Sequence, residues 1–354
     1  MRNDAQNAVL FLSSRPLYLG QDTTAGLAGS GADASLGMNV DQVDSWNGHN
    51  QQVDFTKYFC QAPGWYLCQG TCPFLYSGST QYVFSAGFTA LSGGVATGAV
   101  RGQLQLQGST HYPEPQVCDL ILQSVTGAPG GSGDWISLTG LQVTGSTTAT
   151  VASGNLFPYV VIRWVCATSG TQPLPVPANA SWPVPPSYVT PAFLNTNIRD
   201  TISFLCYPPI CRAHYTPGST TMPSQTFPAG TVINLGTVDV DNYGGYTTGS
   251  SGGYTAPVAG VYFCYGQINF AATSTTFVAY SAGLSVNGGT VQWGDSVFKT
   301  TADVSGCGAI VRKRLRLNAG DFVQFYGQQS SGGSLGYNGT TANQTRFIAV
   351  WECS

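Results

Sequence analysis

A repeated turn-and-strand motif constrains the fold of this chain more than any other feature of its sequence. The clearer copy runs from Tyr254 to Cys264 and reads Tyr-Thr-Ala-Pro-Val-Ala-Gly-Val-Tyr-Phe-Cys, and a degenerate copy runs from Tyr58 to Cys68. In both copies a proline and glycine corner leads directly into an apolar strand. The copies begin 254 − 58 = 196 residues apart, so most of the chain is predicted to consist of two matching halves.

Other residues recur at nearly the same spacing and support the duplication. The positions that repeat 196 residues apart are Gly64 and Gly260, Tyr66 and Tyr262, Cys68 and Cys264, Gly70 and Gly266, Phe74 and Phe270, and Ser85 and Ser281. We align Cys118 and Asp119 with the Gly-Asp pair that ends at Asp321, and Trp164 with Trp351, which lies 351 − 164 = 187 residues later. One repeated unit is therefore a short helix and a β domain that closes with a tryptophan-bearing strand.

Each half opens with an apolar pattern typical of one short amphipathic helix. The residues at helical spacing are Ala5, Ala8, Val9 and Leu12 in the first half and Ile198, Thr201, Ile202 and Leu205 in the second. Pro16 ends the first helix, and Pro208 with Pro209 ends the second. Helices of this length are marginal alone, so we expect both to pack on another element.

Short apolar segments separated by clusters of Gly, Pro, Asn and Ser follow each helix. In the first half we predict strands at Met38–Val43, Lys57–Cys60, Trp65–Cys72, Gln81–Leu91, Ala99–Leu106, Val117–Val125, Ile136–Val143, Thr147–Val151 and Tyr159–Cys166. Many short strands with turn signals indicate an all-β sandwich or barrel. The predicted parts are a helix and turn at 1–19, a β domain at 20–169, a linker at 170–192, a second helix and turn at 193–212, and a second β domain at 213–354.

The linker is rich in proline. The stretch from Thr171 to Pro191 contains seven prolines, which favour extended backbone and predict a semi-rigid spacer between the two domains. A proline-rich ligand for a recognition domain is the alternative interpretation.

Composition and charge argue against several classes of function. Only 8% of the residues are charged and the net charge is −3, whereas about 25% is usual for a soluble domain. We therefore predict that the chain does not bind nucleic acid, which requires a basic patch. The basic cluster from Arg312 to Arg316 alternates within a strand-like run, so it is either a phosphate-facing stripe or a solvated strand face. No apolar run approaches the roughly 18 residues needed to cross a bilayer, so we predict no membrane insertion.

The ten cysteines are predicted to be free thiols. No secretory signal pattern is visible, so small buried residues in a protein made in a reducing cytosol are the expectation. Cys206 and Cys211 bracket a Pro-Pro turn, where a local disulfide is the alternative. Cys68 and Cys72 point to the same face of a predicted strand, which favours core packing over a zinc site.

We predict no catalytic, cofactor-binding or metal-binding residue, and no cofactor. No metal-ligand spacing or nucleophile motif includes any of the three histidines, His49, His111 and His214. Asp239 and Asp241 are a calcium candidate that lacks the denser oxygen cluster calcium requires. Asp119 and Asp321 are expected to hold turns. The 16 acidic residues are scattered, which does not favour the paired carboxylates of a glycan-degrading enzyme.

The second half carries the ordered motifs of a known family. After the corner at Tyr254 come Leu-Arg-Leu-Asn-Ala-Gly-Asp-Phe-Val from Leu315 to Val323, a glycine-rich loop, and the aromatic closing strand from Arg346 to Trp351. This order resembles the jelly-roll domain of the complement globular head and tumour necrosis factor superfamily. The resemblance implies an all-β chain of two tandem jelly-roll β-sandwich domains, each preceded by a short helix and joined by the Pro-rich linker. The first half departs from the pattern at its corner. There the proline directly precedes the glycine, whereas two residues separate them in the second half.

The resemblance also implies an assembly. Members of the superfamily form trimers around a three-fold axis, so a homotrimer is expected, and three copies of the short helix would then pack together. Core packing and a trimer interface both remain open for the candidate residues. These candidates are Tyr66, Tyr262, Phe263, Trp164, Trp351, Val9, Leu12, Ile202 and Leu205.

A helix followed by such a β domain is also similar to minor tail or fibre proteins of tailed bacteriophages that infect actinobacteria, whose stretches resemble Leu194 to Asp200. That similarity implies a structural virion protein, not an enzyme, made in the bacterial host cytoplasm and displayed on the particle exterior. Its expected partners are other virion proteins of the tail or capsid and a host-surface glycan or protein. The alternatives are a capsid decoration or head-fibre protein without a receptor role and, as a minor one, a virion-associated glycan-degrading enzyme.

Overall fold

The structure is a computed structural model. It describes residues 10–23, 34–52, 54–75, 82–93, 95–106, 115–124, 133–142, 150–151, 157–168, 198–216, 221–271, 278–299, 308–337 and 345–354. Some predicted features lie outside the described residues: Ala5, Ala8, Val9, His111 and the proline-rich stretch from Thr171 to Pro191.

The chain is all-β and folds into two tandem jelly-roll β-sandwiches. Head 1 consists of a helical turn at 10–13 and strands β1 Leu17–Gln21, β2 Ala34–Ser35, β3 Val40–Asp44, β4 His49–Asn50, β5 Asp54–Phe59, β6 Gly64–Thr71, β7 Phe74–Leu75, β8 Tyr82–Ser92, β9 Val95–Leu106, β10 Gln116–Gln123, β11 Trp135–Gln142, β12 Thr150–Val151 and β13 Tyr159–Cys166.

Head 2 repeats this order. It consists of helix α1 Asp200–Cys206 and strands β14 Ile210–His214, β15 Thr221–Met222, β16 Thr231–Val232, β17 Thr237–Asp241, β18 Tyr246–Thr247, β19 Gly253–Thr255, β20 Gly260–Asn269, β21 Val278–Val286, β22 Gln292–Lys299, β23 Gly308–Leu317, β24 Phe322–Gln329, β25 Leu335–Gly336 and β26 Arg346–Cys353.

Each head packs two antiparallel sheets face to face. The sheet that contains the motif strand, called the front sheet, has the order β10-β6-β13-β1-β3 in head 1 and β23-β20-β26-β14-β17 in head 2. The back sheet has the order β4-β5-β11-β8-β9 in head 1 and β18-β19-β24-β21-β22 in head 2. Alternate residues of the two sheets meet in one aromatic-rich core per head. The same strand order in both heads confirms the duplicated fold.

Strand register identifies equivalent residues and corrects one predicted alignment. Cys68 lies opposite Asp119, and its counterpart Cys264 lies opposite Lys313. Asp119 therefore corresponds to Lys313 within an edge strand, not to the turn residue Asp321. The head 1 counterpart of Asp321 is Asp134, because both carboxylates accept a backbone N–H from just after the preceding strand. The donor is Ser124 in head 1, 2.6 Å away, and Asn318 in head 2, 2.7 Å away. The alignment failed because nine residues separate Ser124 from Asp134, whereas two separate Asn318 from Asp321.

The predicted domain boundaries also need correction. β1 begins at Leu17 and β14 at Ile210, so the β structure of each head starts three residues before the predicted limits of 20 and 213. Both strands begin directly after a proline, at Pro16 and Pro209. The Leu-Tyr-Leu alternation that starts at Leu17 is a strand signal. Their pairing with the closing strands β13 and β26 places the short helices beside the closing tryptophans.

Candidate interaction surface

The repeated corner is held by three residues in each head. In head 1 the Tyr66 hydroxyl donates to the Ala62 carbonyl at 2.8 Å, and Trp164 Nε1 donates to the Pro63 carbonyl at 3.1 Å. Gly64 follows with φ +154°, and a Cβ there would lie 2.1 Å from Trp164 Nε1. The closing strand therefore packs where only glycine fits.

Head 2 reproduces the same arrangement. The Tyr262 hydroxyl donates to the Val258 carbonyl at 2.8 Å, and Trp351 Nε1 donates to the Ala259 carbonyl at 3.2 Å. Gly260 has φ +153°. All four aromatic side chains of the two corners are buried in the core of their own head, with Tyr66 and Tyr262 fully inaccessible. Tyr66, Tyr262, Trp164 and Trp351 thus pack in the core of their own heads within the single chain.

Both short helices pack on their own heads. Phe11 contacts Trp164 edge-on, with ring centroids 4.9 Å apart, and Phe204 contacts Trp351 in the same way at 4.9 Å. Within the single chain, each helix is therefore partly buried against its closing tryptophan. Of the other candidates, Leu12, Ile202 and Leu205 are partly buried, and Val9 lies outside the described residues.

The two heads pack against each other through the outward faces of their front sheets. Ten apolar or aromatic residues form one cluster, here called the seam: Leu67, Cys118, Leu120, Val165 and Cys166 of head 1, and Ile210, Phe263, Tyr265, Ile348 and Val350 of head 2. Phe263, a candidate for a trimer interface or core, thus lies in a contact between the two heads of one chain. Strands β6 and β20 are apolar on both faces because one face meets the head core and the other meets the seam.

A buried ion-pair network crosses the seam. Arg212 on β14 donates a hydrogen bond from Nε to the Asp119 carboxylate of head 1 at 2.6 Å and also pairs with Asp239. The Asp239 carboxylate also contacts His214 Nδ1 at 2.8 Å. The side chains of Arg212 and Asp119 are only 11% and 3% exposed. Burial would lower the pKa of Arg212, but the two carboxylates raise it, so the guanidinium stays charged.

A second ion-pair cluster lies where the two closing strands meet. Glu352 of head 2 accepts from Arg163 of head 1 at 2.5 Å and from Arg314 of its own head at 2.7 Å. Burial raises the pKa of Glu352, but the hydrogen bond from Arg314 and the charge of Arg163 outweigh it and hold the pKa below its usual value. The carboxylate therefore bridges both heads in its ionised form.

Arg346 is the largest fully buried side chain of the chain's described part. Its Nε donates to the Cys118 carbonyl of head 1 at 3.1 Å, and its guanidinium lies 5.8 Å from the Tyr265 ring centre. Its two terminal nitrogens have no hydrogen-bond partner among the residues that the structure describes. Arg346 therefore adds a third polar link across the seam, and the aromatic ring partly compensates its buried charge.

A small cavity opens between the heads beside the seam. It has a volume of about 30 Å³ and is lined by residues that include Gln69, Cys118, Tyr159, Tyr265 and Arg312. A water molecule needs roughly 10–15 Å³, so this cavity is about the size of two or three waters.

The described cysteines are nine free thiols, and Cys206 and Cys211 do not form the alternative local disulfide. Cys60, Cys68 and Cys72 are buried. Burial raises the pKa of Cys264 in the core of head 2, and of Cys118 and Cys166 in the seam, to about 12 each. Such thiols are unreactive near neutral pH, as expected of core-packing cysteines.

No metal centre is found in the part of the chain that the structure describes, where no three His, Cys, Asp or Glu side chains converge. Asp239 does not fit the calcium role, because Arg212 and His214 already occupy its carboxylate. Asp241 instead accepts the Tyr246 backbone N–H at 2.6 Å and holds a turn. Across the described residues, no helix is long and apolar enough to cross a membrane.

The basic cluster lies on β23, the edge strand of the head 2 front sheet. Arg312, Arg314 and Arg316 are exposed and share the outward face, whereas Leu315 and Leu317 point into the core. This exposure is compatible with both interpretations of the cluster, a solvated strand face and a phosphate-facing stripe. The seam residues were not predicted, although the continuous apolar run at Trp65 to Cys68 was a signal that both faces of that strand are buried.

No protein-family model matches the sequence, and no curated protein matches it either. Solved structures with a similar fold include the globular domain of the zebrafish complement 1qA protein, at 10% identity and a TM-score of 0.28 over 42% of this chain and 96% of that one. The Eiger TNF of S. frugiperda is similar at 13% identity and a TM-score of 0.30, over 41% and 94% of the two chains. Murine APRIL is similar at 11% identity and a TM-score of 0.29, over 41% and 98%.

Proposed function

We propose that this chain is a structural protein of a tailed-bacteriophage virion, a tail-tip or fibre-like component that displays its β heads for attachment to the host surface. The proposal rests on the similarity of its helix-and-head units to such proteins. One structural observation favours it over catalysis. The carboxylates of Asp119 and Glu352 are each neutralised by an arginine of the other head, and that of Asp239 by Arg212 of its own head.

This use of charge supports a structural role over that of a glycan-degrading enzyme. Such an enzyme requires two carboxyl groups that flank an open groove, one of them free to donate a proton. Asp119 and Asp239 do lie near each other, but Arg212 lies between them and the side chain of Asp119 is buried. The pair is suited to holding two heads in a defined orientation, as a display protein requires.

A homotrimer remains part of the proposal, with one structural restriction. The outward faces of the two front sheets already pack on each other within the single chain. Three chains would therefore have to associate outside the seam. Two heads in one chain, multiplied by three chains, would also raise avidity for weak, repeated surface ligands.

Imaging of virions with an antibody against head 2 tests the proposal. We expect label at the tail tip or on fibres, and we expect the purified chain to bind host cells and to slow adsorption of the particle. Label on the head shell would contradict the tail assignment and support a capsid decoration or head-fibre protein. Particles without label would contradict a virion role altogether.

A further inference from the structure

The duplication provides an internal comparison for the edge strands of the two front sheets. Register makes Cys118 equivalent to Arg312, because they lie opposite Gln69 and its counterpart Tyr265. It likewise makes Leu120 equivalent to Arg314, opposite Leu67 and Phe263. The same edge of the same fold thus carries apolar side chains in head 1 and arginines in head 2.

The two edges differ in burial as they do in chemistry. Cys118 and Leu120 are 4% and 3% exposed because they pack on head 2 in the seam. Arg314 is 69% exposed, and Arg312 and Arg316 are exposed as well. The edge of head 2 therefore does not make the protein contact that its counterpart makes. A row of arginines could not replace Cys118 and Leu120 on an apolar face without acidic partners, since buried unpaired charge is costly.

The arginines of β23 lie close together in the sequence, and among the described residues only Arg314 has an acidic partner. Of the 13 basic residues in the chain, four lie between positions 312 and 316. Arg314 shares Glu352 with Arg163, whereas Arg312 and Arg316 pair with no acidic residue that the structure describes. The two halves of the chain differ accordingly: residues 1–169 carry five basic and nine acidic residues (5 − 9 = −4), and residues 170–354 carry eight and seven (8 − 7 = +1).

The geometry of the row defines its ligand. Successive side chains on one face of a strand lie about 7 Å apart, so Arg312, Arg314 and Arg316 form a straight line of guanidinium groups. Arginine, unlike lysine, offers a planar fork that binds phosphate through two hydrogen bonds. The donors Gln69 and Tyr159 line the cavity next to Arg312 and extend the polar surface at one end of the row.

We propose that Arg312, Arg314 and Arg316, here called the arginine row, bind a linear phosphodiester polymer of the host surface, with one phosphate per arginine. This deepens the proposed function by naming a ligand class, and it rests on that function only for the source of the polymer. Charged side chains on an edge strand discourage strand-to-strand pairing, so the ligand lies along the side chains and does not extend the sheet.

Binding of labelled poly(glycerol phosphate) to the full chain, measured by fluorescence anisotropy at several salt concentrations, tests the proposal. The double variant Arg312→Ser/Arg316→Ser should lose at least tenfold in affinity. It should also lose about one unit of salt dependence (log K against log salt) per arginine. The control Arg199→Ser removes a charge that is 63% exposed at the N-cap of α1 and should change neither quantity. Because the arginines are exposed, both variants should keep the thermal unfolding midpoint of the parent chain.

Three further arms separate the competing explanations. Weaker binding of poly-glutamate supports phosphate recognition, and equal binding of both polymers would overturn it. Tighter binding of single-stranded DNA than of poly(glycerol phosphate) would overturn the host-surface source. If sedimentation shows self-association that the double variant abolishes, the row is a protein contact and the proposal is wrong. A failure in these arms leaves the particle-imaging result unaffected, so the two proposals fail separately.

Discussion

At the scale of single residues, the corner of each head depends on a glycine that accommodates a tryptophan. Gly260 adopts a backbone conformation that side chains disfavour, and Trp351 Nε1 occupies the space a Cβ would need, 2.2 Å away. The ring of the same tryptophan packs edge-on against Phe204 of the helix, with the ring centroids 4.9 Å apart. One residue pair therefore joins the corner, the closing strand and the helix of head 2.

We expect Gly260→Ala to destabilise head 2 by about 3 kcal/mol, because the added methyl group overpacks the corner and strains the backbone. The control Gly333→Ala has nothing within 4 Å of its new Cβ and should change stability by less than about 0.5 kcal/mol. Scanning calorimetry measures both. Equal midpoints for the two variants would show that the corner tolerates a side chain.

Much of this residue-level arrangement was predictable from the sequence. Gly64, Tyr66 and Trp164 recur in head 2 at a nearly constant spacing, which marked them as structural before any contact was known. Asp119 was not predictable, because its role follows from strand register and from an arginine 93 residues away in the chain. Spacing alone aligned it with a turn residue of similar local sequence.

At the scale of elements, the edge strand β10 of head 1 lies against β14 and β26 of head 2. Arg212 on β14 and Arg346 on β26 both reach it, at Asp119 and at the Cys118 carbonyl. The contacts between these strands join residues that are far apart in the sequence, so the correct placement of each strand depends on that of the others.

Arg212→Leu should destabilise the chain by about 3 kcal/mol, because it leaves the Asp119 carboxylate buried without a cation. The double variant Asp119→Leu/Arg212→Leu removes both charges and should cost less than Arg212→Leu alone. Chemical unfolding midpoints of the parent chain, the single variant and the double variant test this expectation. A double variant at least as unstable as the single one would mean that these two side chains do not depend on each other.

The boundaries of the strands were more predictable from the sequence than the surfaces against which the strands pack. The prediction for β13 matches the structure at both ends, and those for β6 and β8 are one residue off at each end, because apolar alternation is a local property. β1 was missed, since only three residues separate Pro16 from the predicted domain limit at residue 20, and they were read as part of a turn. Two-sided apolar strands such as β20 indicated a second buried face, but not which surface covers it.

At the scale of the whole molecule, the seam depends on ionised carboxylates. The pKa of Asp239 is held below its usual value: burial opposes this shift, but the hydrogen bond from His214 and the charge of Arg212 outweigh it. Glu352 is shifted in the same direction. A depressed pKa means that each group stabilises the folded chain at neutral pH and loses that contribution as the pH falls through its folded pKa.

We therefore expect the heads to separate below about pH 4, before either head unfolds. Small-angle X-ray scattering should show a rise in the radius of gyration while the far-ultraviolet circular dichroism keeps its β signal. Glu352→Gln should move this rise to higher pH, because it removes the carboxylate that links Arg163 to Arg314. A constant radius of gyration down to the pH of global unfolding would contradict this role of the carboxylates.

Packing of the two heads through the seam is the central claim, and thiol labelling of the native chain at neutral pH tests it most directly. Cys353 is exposed, whereas Cys118 and Cys166 lie in the seam and Cys68 and Cys264 lie in the head cores. Peptide mapping should show rapid labelling of Cys353 and protection of Cys118 and Cys166 equal to that of the core thiols. Labelling of Cys118 and Cys166 at a rate close to that of Cys353, with the core thiols still protected, would show that the heads do not pack as described.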